Sequence, residues 1–340
     1  MKTFGPLARM AFAAAAVFLP NIAIGVSVGA ADPIELKVSH FLPPNHVFQK
    51  ELVRWGEELK EKSNGQLVLR VFPSGQMGPT PKQYDLVRTG IADIALGLTG
   101  ATPGRFPLTE VANLPFMVER SEVSSPLLTE LAGKYLQREF AGVKILYLLT
   151  TPPLKFHMRK AKIDSLADFK GTRIRYAGED FAQTIRAFGG VPVAVQPAET
   201  SDALNKGTID GALFPYEGAQ SFQLGNSVKY SIEPGVNAAT FFVVMNEEVY
   251  RKLPDALRAL IDETTGPAAA RRVGRAVDAV EVAGRDYMKA SGVEIVTVSP
   301  AVAEQMKARA ETIIAEHLGK LEAKALPARA FYDAMLAAPK

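Results

Sequence analysis

Apolar and polar residues alternate along the chain with two periods, one typical of strands and one typical of helices. Between residues 34 and 98, short β-rich runs flank a segment in which four apolar residues from Phe48 to Leu59 fall at i, i+4, i+7 and i+11. That spacing places their side chains on one helical face. The pattern predicts the order strand, helix, strand, helix, strand, with strands at residues 34–41, 66–72 and 91–98 and the second helix at residues 81–88.

The same order of elements recurs later in the chain. It predicts strands at residues 172–176, 191–195 and 209–214, and helices at residues 180–188 and 199–206. Both units carry G-x-x-D-x-A-L at the third strand, at residues 90–96 and 207–213. Strand–helix alternation implies mainly parallel sheets with right-handed crossovers. The predicted fold class is therefore α/β with two lobes, each a βαβαβ-based sheet flanked by helices.

The remaining segments connect these two units. Residues 144–149 and 239–245 are further predicted strands and plausible crossing points between lobes. A long helical pattern begins at Pro254, and Pro267 either kinks it or starts a new helix. A long helix there can brace both lobes or belong to one, and we predict the bracing arrangement. We predict that lobe I comprises residues 32–150 plus about 238–280, and that lobe II comprises residues 151–237 plus about 281–340.

The first residues of the chain have the pattern of a secretory signal. Lys2 and Arg9 precede an apolar run at residues 10–24, and small residues follow it near residues 28–31. The run is shorter than the roughly 20 residues that span a bilayer. We predict that residues 1–31 are a removed signal peptide and that the protein is exported to the periplasm.

Composition and charge exclude several classes of function. The chain has no cysteine, which excludes disulfides and thiolate metal sites. Without Lys2 and Arg9, the 39 basic residues become 37 against 36 acidic ones, a balance of +1 that gives no support for nucleic-acid binding. The four histidines have no metal-ligand spacing, and no phosphate-loop, dinucleotide or nucleophile-elbow motif occurs. We expect no metal and no cofactor.

Topology selects candidate binding residues, because ligands of open α/β sheets bind outside the carboxyl ends of the strands. Arg175 closes a predicted strand there, and its planar, always charged guanidinium matches a carboxylate. Arg173 has the same side-chain parity but lies deeper in the strand. The other candidates are aromatic residues that could pack an apolar ligand, two polar residues, and a glycine that could let the backbone approach the ligand: Phe41, Phe214, Tyr216, Glu217, His157 and Gly100.

Five segments in order carry a family resemblance. They are VFPSGQMG at residues 71–78, LPF at 114–116, LADFKGTRIR at 166–175, FGGVP at 188–192 and GTIDG at 207–211. In this order and spacing the sequence resembles the DctP-type substrate-binding proteins of TRAP (tripartite ATP-independent periplasmic) transporters. The resemblance implies a two-lobed periplasmic binding protein that passes its ligand to membrane subunits without ATP hydrolysis.

The resemblance also implies roles for individual residues. In that family the arginine that ends the third segment binds the ligand carboxylate, and here it is Arg175. A second ligand arginine is often found twenty positions earlier, where this chain has Lys155. The polar run that often follows the Asp-Gly pair is more apolar here, at residues 212–217. These departures favour a monocarboxylate with an apolar or aromatic body over a short dicarboxylate.

Taken together, these features predict a monomeric periplasmic protein that captures a small organic acid and is not an enzyme. Two alternatives stay open on sequence alone. An exported hydrolase of small acids would need a nucleophile with an adjacent base, or a metal site, and neither motif is evident. An extracytoplasmic sensor would share the cleft but would signal rather than deliver.

Overall fold

The computed structural model describes residues 32–337, which form eleven strands and eleven α-helices. The strands are β1 Ile34–Ser39, β2 Leu67–Phe72, β3 Ile94–Leu98, β4 Val143–Thr150, β5 Lys155–Met158, β6 Arg173–Tyr176, β7 Val191–Ala194, β8 Gly211–Phe214, β9 Tyr230–Glu233, β10 Thr240–Asn246 and β11 Glu294–Thr297. The helices are α1 Val47–Lys62, α2 Gln83–Arg88, α3 Ser121–Tyr135, α4 Glu179–Phe188, α5 Thr200–Lys206, α6 Tyr216–Ser221, α7 Glu247–Lys252, α8 Asp255–Thr264, α9 Gly266–Ala290, α10 Pro300–Glu322 and α11 Ala328–Leu336. The predicted signal peptide lies outside the described residues.

Two mixed sheets organise these elements. The first has the order β2-β1-β3-β10-β4, and the second has the order β11-β9-β5-β8-β6-β7. In the first sheet β1 is parallel to both β2 and β3, and in the second β6 is parallel to both β7 and β8. Both predicted βαβαβ units are therefore present. Within residues 32–337, no helix is both long and apolar enough to span a bilayer.

The repeated G-x-x-D motif has the same structural role in both sheets. Asp93 accepts a hydrogen bond from the backbone N–H of Lys37 at 2.7 Å, and its own N–H donates to the Lys37 carbonyl at 3.0 Å. Asp210 pairs with the backbone of Arg173 in the same way, at 2.9 and 2.7 Å. Each aspartate thus joins the start of the third strand of its unit to the first strand, which explains why the motif occurs twice.

Two short segments connect the sheets and pair with each other. They comprise residues 151–154, between β4 and β5, and residues 234–239, between β9 and β10. The backbone N–H of Leu154 donates to the Asn237 carbonyl at 2.6 Å, and that of Thr151 donates to the Ala239 carbonyl at 2.9 Å. The two strands predicted as crossing points, β4 and β10, instead lie within the first sheet. The chain crosses between the two sheets in residues 151–154 and 234–239, which adjoin β4 and β10.

The long helix α9 packs against elements of both halves, α3 on one side and α6 on the other. Asp278 accepts hydrogen bonds from the backbone N–H groups of Ser121 and Glu122, at the start of α3, each at 2.9 Å. One turn on, Glu281 accepts from the backbone N–H of Glu217, at the start of α6, also at 2.9 Å. Two carboxylates on one helix therefore cap two helices that belong to different halves.

The C-terminal helices complete the packing, and the region after Pro254 divides into separate helices. α8 ends at Thr264, and Pro267 lies in the first turn of α9, so the proline starts a new helix rather than kinking a continuous one. α10 packs on α4, which belongs to the second half. α11 packs on α3, which belongs to the first half, although the sequence assigned residues 281–340 to lobe II.

Candidate functional site

A cavity lies at the carboxyl ends of β6 and β8, where the two halves face each other. About 440 Å³ of space not filled by atoms lies within it, including open solvent at its mouth. Four of its lining residues have polar side chains, namely His46, Thr151, Arg175 and Glu217. The rest of the lining is predominantly apolar and includes five phenylalanines: Phe41, Phe181, Phe214, Phe222 and Phe241. The cavity is thus an aromatic site with a few polar groups.

Arg175 is the buried cation of this cavity, with a side chain only 2% exposed. Its Nε donates to the Val195 carbonyl at 3.0 Å, and its Nη1 donates to the Leu213 carbonyl at 3.2 Å. The guanidinium carbon lies 4.2 Å from the ring centroid of Phe214, a cation–π contact. Two carbonyls and one ring therefore fix the guanidinium without neutralising it.

The third nitrogen of that guanidinium, Nη2, is buried and has no hydrogen-bond partner in the described part of the chain. Within residues 32–337 no carboxylate lies within ion-pair distance of Arg175. Burial lowers the pKa of Arg175 to about 9, so the group is still charged at neutral pH. A buried cation with a free donor is complementary to an anionic oxygen supplied from outside the protein.

His46 and Glu217 form a second polar feature of the cavity, one from each half. His46 caps α1, because its Nδ1 accepts from the backbone N–H of Phe48 at 3.2 Å. Its Nε2 lies 3.3 Å from Oε2 of Glu217, in the first turn of α6, and both side chains are 2% exposed. Burial, with smaller effects of His40 and Lys50, lowers the His46 pKa to about 3. Burial, and then the charge of Glu281, raises the Glu217 pKa to about 8.

Four of the eight residues predicted for the site line the cavity, and four do not. Phe41, Arg175, Phe214 and Glu217 are in the lining. Sequence reasoning did not select Phe241, the second residue of β10, which is antiparallel to β3. The rule considered only the carboxyl ends of parallel strands, but the amino end of an antiparallel strand lies at the same edge of the sheet. That topology is the signal that could have identified Phe241.

Lys155 and Tyr216 lie behind the cavity rather than in it. The ammonium of Lys155 pairs with Glu281 of α9 at 2.5 Å and lies 4.9 Å from the Tyr216 ring centroid. The Tyr216 hydroxyl donates to Glu233 at 2.9 Å. Because both polar groups already have partners in the protein, these residues support α6 and α9 instead of presenting free groups to a ligand.

His157 and Gly100 also lie outside the lining. His157 is fully buried and uses both ring nitrogens, with Nδ1 2.8 Å from the Ser231 hydroxyl and Nε2 3.1 Å from the Phe214 carbonyl. A Cβ at Gly100 would lie 2.6 Å from the Ala177 carbonyl oxygen and 2.9 Å from Cα of Gly178. Gly100 therefore allows a close approach between the loop after β3 and the loop after β6, rather than between the backbone and a ligand.

An α/β structure with two sheet-based halves and a cavity between them is typical of solute-binding proteins. Residues 38–320 match the DctP family, described as bacterial extracellular solute-binding protein, family 7, and the chain belongs to this family. The predicted membership, the two-lobed α/β fold and a solute-binding function rather than an enzymatic one are thereby confirmed.

Similar proteins support this classification. The crystal structure of a TRAP solute binding protein from Rhodoferax ferrireducens T118, in complex with copurified benzoate, has a TM-score of 0.86 and 28% identity, covering 89% of this chain and 97% of that one. The C4-dicarboxylate-binding periplasmic protein DctP of Rhodobacter capsulatus is 24% identical over 71% of this chain and 74% of its own length. An uncharacterized protein of Salmonella typhimurium, YiiZ, is 27% identical over 46% of this chain. That match covers 49% of YiiZ, about half of its length.

Proposed function

We propose that this protein is a periplasmic receptor that captures a monocarboxylate with an aromatic or apolar body between its two lobes and delivers it to a TRAP-type membrane permease. The observation that carries the proposal is the buried Nη2 of Arg175, a charged donor without a partner in an aromatic cavity. A ligand carboxylate satisfies that donor, and phenylalanine side chains enclose the body of the ligand.

The charge of the cavity favours one carboxylate over two. Among residues 32–337, Arg175 is the single charged cation in the lining at neutral pH, because burial keeps His46 neutral. A short dicarboxylate would place its second carboxylate near Glu217 with no cation to pair it, and an unpaired buried charge is strongly unfavourable. Benzoate, the ligand of the similar Rhodoferax ferrireducens protein, has one carboxylate and an aromatic ring.

Ligand capture requires the two lobes to open and close. The paired crossing segments, residues 151–154 and 234–239, are the proposed hinge, with α9 as the third connection. Closure buries the ligand and strengthens its ion pair with Arg175, since water is excluded. The exported, monomeric protein then docks on the membrane subunits in its closed form.

The test measures the affinity of purified protein for benzoate, phenylacetate and succinate by isothermal titration calorimetry at pH 7.5. Wild type should bind an aromatic acid at least about tenfold more tightly than succinate. Arg175→Ala should weaken that binding by about 30-fold or more, because losing one side of a buried charge pair costs about 2–5 kcal/mol.

Arg173→Ala is the matched control on the same strand. Its guanidinium pairs with Asp210 outside the cavity, so the substitution should lower stability but leave affinity within about threefold. If Arg175→Ala binds the aromatic acid within threefold of wild type, Arg175 does not contact the carboxylate. If succinate is preferred, the proposed ligand class is wrong.

A further inference from the structure

The pair formed by His46 and Glu217 is not explained by carboxylate binding alone. Glu217 is 2% exposed and lines the cavity, yet its buried Oε2 makes no hydrogen bond, although His46 Nε2 lies 3.3 Å away. Buried polar atoms in native proteins nearly always have partners. The cavity therefore contains an unpartnered acceptor as well as the unpartnered donor of Arg175.

The proton positions on this pair define the chemistry that it can recognise. Because Nδ1 of His46 accepts from the backbone of Phe48, the proton of the neutral ring lies on Nε2, which faces Glu217. Burial also favours the protonated form of the Glu217 carboxyl group, which can then both donate and accept. A hydroxyl group, which also donates and accepts, is the complementary partner.

Two other ligand groups fit this pair less well. A second carboxylate would meet an acidic side chain with no cation beside it, since Arg175 is the charged cation of the lining. An ammonium group would require Glu217 to be ionised in a buried position, which is unfavourable. It would also place its own N–H donors against the N–H donor of His46. Neither objection applies to a hydroxyl.

We propose that His46 and Glu217 form a second polar pole of the cavity, which selects carboxylates that also carry a hydroxyl group. This proposal rests on the proposed function, in which Arg175 holds the carboxylate. Arg175 and the pole formed by His46 and Glu217 would then fix both ends of the ligand, with the phenylalanines around its body.

A purely structural role for the pair makes a different prediction. His46 belongs to the half that contains α1, and Glu217 belongs to the half that contains α6, so the pair could simply hold the lobes together. Loss of such a contact would weaken all ligands by the same factor. Loss of a hydroxyl-binding group would weaken only hydroxylated ligands, so the ratio of two affinities separates the two roles.

The experiment compares benzoate with its 2-, 3- and 4-hydroxy derivatives, and phenylacetate with mandelate and phenylglycine, by calorimetry on wild type, Glu217→Leu and Glu217→Gln. In wild type, at least one hydroxylated acid should bind about tenfold or more tightly than its parent. In Glu217→Leu that ratio should fall to within about threefold. Glu217→Gln, which keeps a donor and an acceptor, should retain most of it.

Several results would overturn the proposal. The first is that wild type binds no hydroxylated acid more tightly than its parent acid. The second is that wild type binds phenylglycine more tightly than mandelate. The third is that Glu217→Leu leaves the affinity ratio of hydroxylated to parent acid unchanged. If Glu217→Leu does not fold, as judged by circular dichroism, His46→Asn replaces it, because asparagine keeps the N-cap of α1 and removes the Nε2 donor. If wild type binds none of these acids, the proposed function itself fails.

Discussion

At Gly284 of α9, adding a single methyl group should change stability in opposite directions through packing and through helix propensity. A Cβ there would lie 2.5 Å from the Tyr216 carbonyl oxygen and 2.9 Å from the backbone nitrogen of Glu217. These are backbone atoms of the first turn of α6, so they cannot rotate away. In Gly284→Ala, the added Cβ and the Tyr216 carbonyl oxygen must separate by about 0.9 Å, from 2.5 to 3.4 Å, to reach an ordinary contact distance.

The magnitude follows from two opposing effects. Alanine is favoured over glycine in a helix by about 1 kcal/mol, whereas overpacking a tight contact typically costs about 1–3 kcal/mol. Gly319 of α10 and Gly133 of α3 are exposed helical glycines with no atom within 4 Å of an added Cβ. Alanine should therefore stabilise the protein at these two control positions by about 0.5–1 kcal/mol and destabilise it at Gly284 by up to about 2 kcal/mol.

The assay is urea unfolding of the three single variants beside wild type, followed by circular dichroism and intrinsic fluorescence. A second measurement is the affinity for an aromatic acid, because displacement of α6 moves Glu217 in the cavity lining. Affinity should decrease in Gly284→Ala and stay unchanged in Gly319→Ala. If Gly284→Ala is as stable as Gly319→Ala, the close contact between α9 and α6 does not exist, and α9 does not brace the second half as described.

Two further predictions concern the buried acid Glu110 and the partly buried acid Asp278. Burial, and then the charges of Asp180 and Glu139, hold the pKa of Glu110 well above its usual range. As pH rises from about 5 to 8, the unfolded chain therefore loses this proton while the folded protein keeps it, and wild type loses stability. The stability of Glu110→Gln relative to wild type should therefore increase as pH rises, by up to about 1.4 kcal/mol per pH unit. Urea unfolding of both proteins at pH 5, 6.5 and 8 measures this difference, and a difference that does not change with pH would contradict the prediction. Asp278→Ala should destabilise the protein by about 1–2 kcal/mol, because two N–H groups at the start of α3 lose their acceptor; Asp278→Asn should recover part of this loss in the same assay, and equal stability of all three proteins would exclude the cap.

Much of the fold can be predicted from the chain because local periodicity encodes it. The apolar positions from Phe48 to Leu59 predicted α1, and these residues are buried on one face of that helix. The two G-x-x-D motifs predicted two similar units. The prediction succeeded because Asp93 and Asp210 make the same contacts with the backbone of the first strand of their units. Arg175 could be singled out because it ends a strand, which is a property of the local sequence once the strand is recognised.

The composition of the cavity could not be read in the same way. Lys155 is paired by Glu281, 126 positions away, and His46 meets Glu217, 171 positions away. Gly100 contacts Gly178 across the two halves. Each of these contacts depends on how the crossing segments and α9 orient two separately built units.

The sequence by itself determined the class of fold, the family and a cationic candidate for the ligand. The tertiary structure decided which polar groups are left free, because a side chain is available to a ligand only when no distant residue has already satisfied it. Hydrogen-bond partners of buried groups come from long-range packing. For that reason the polar groups of Lys155 and His157, which were also predicted for the site, are paired with other residues in the folded protein.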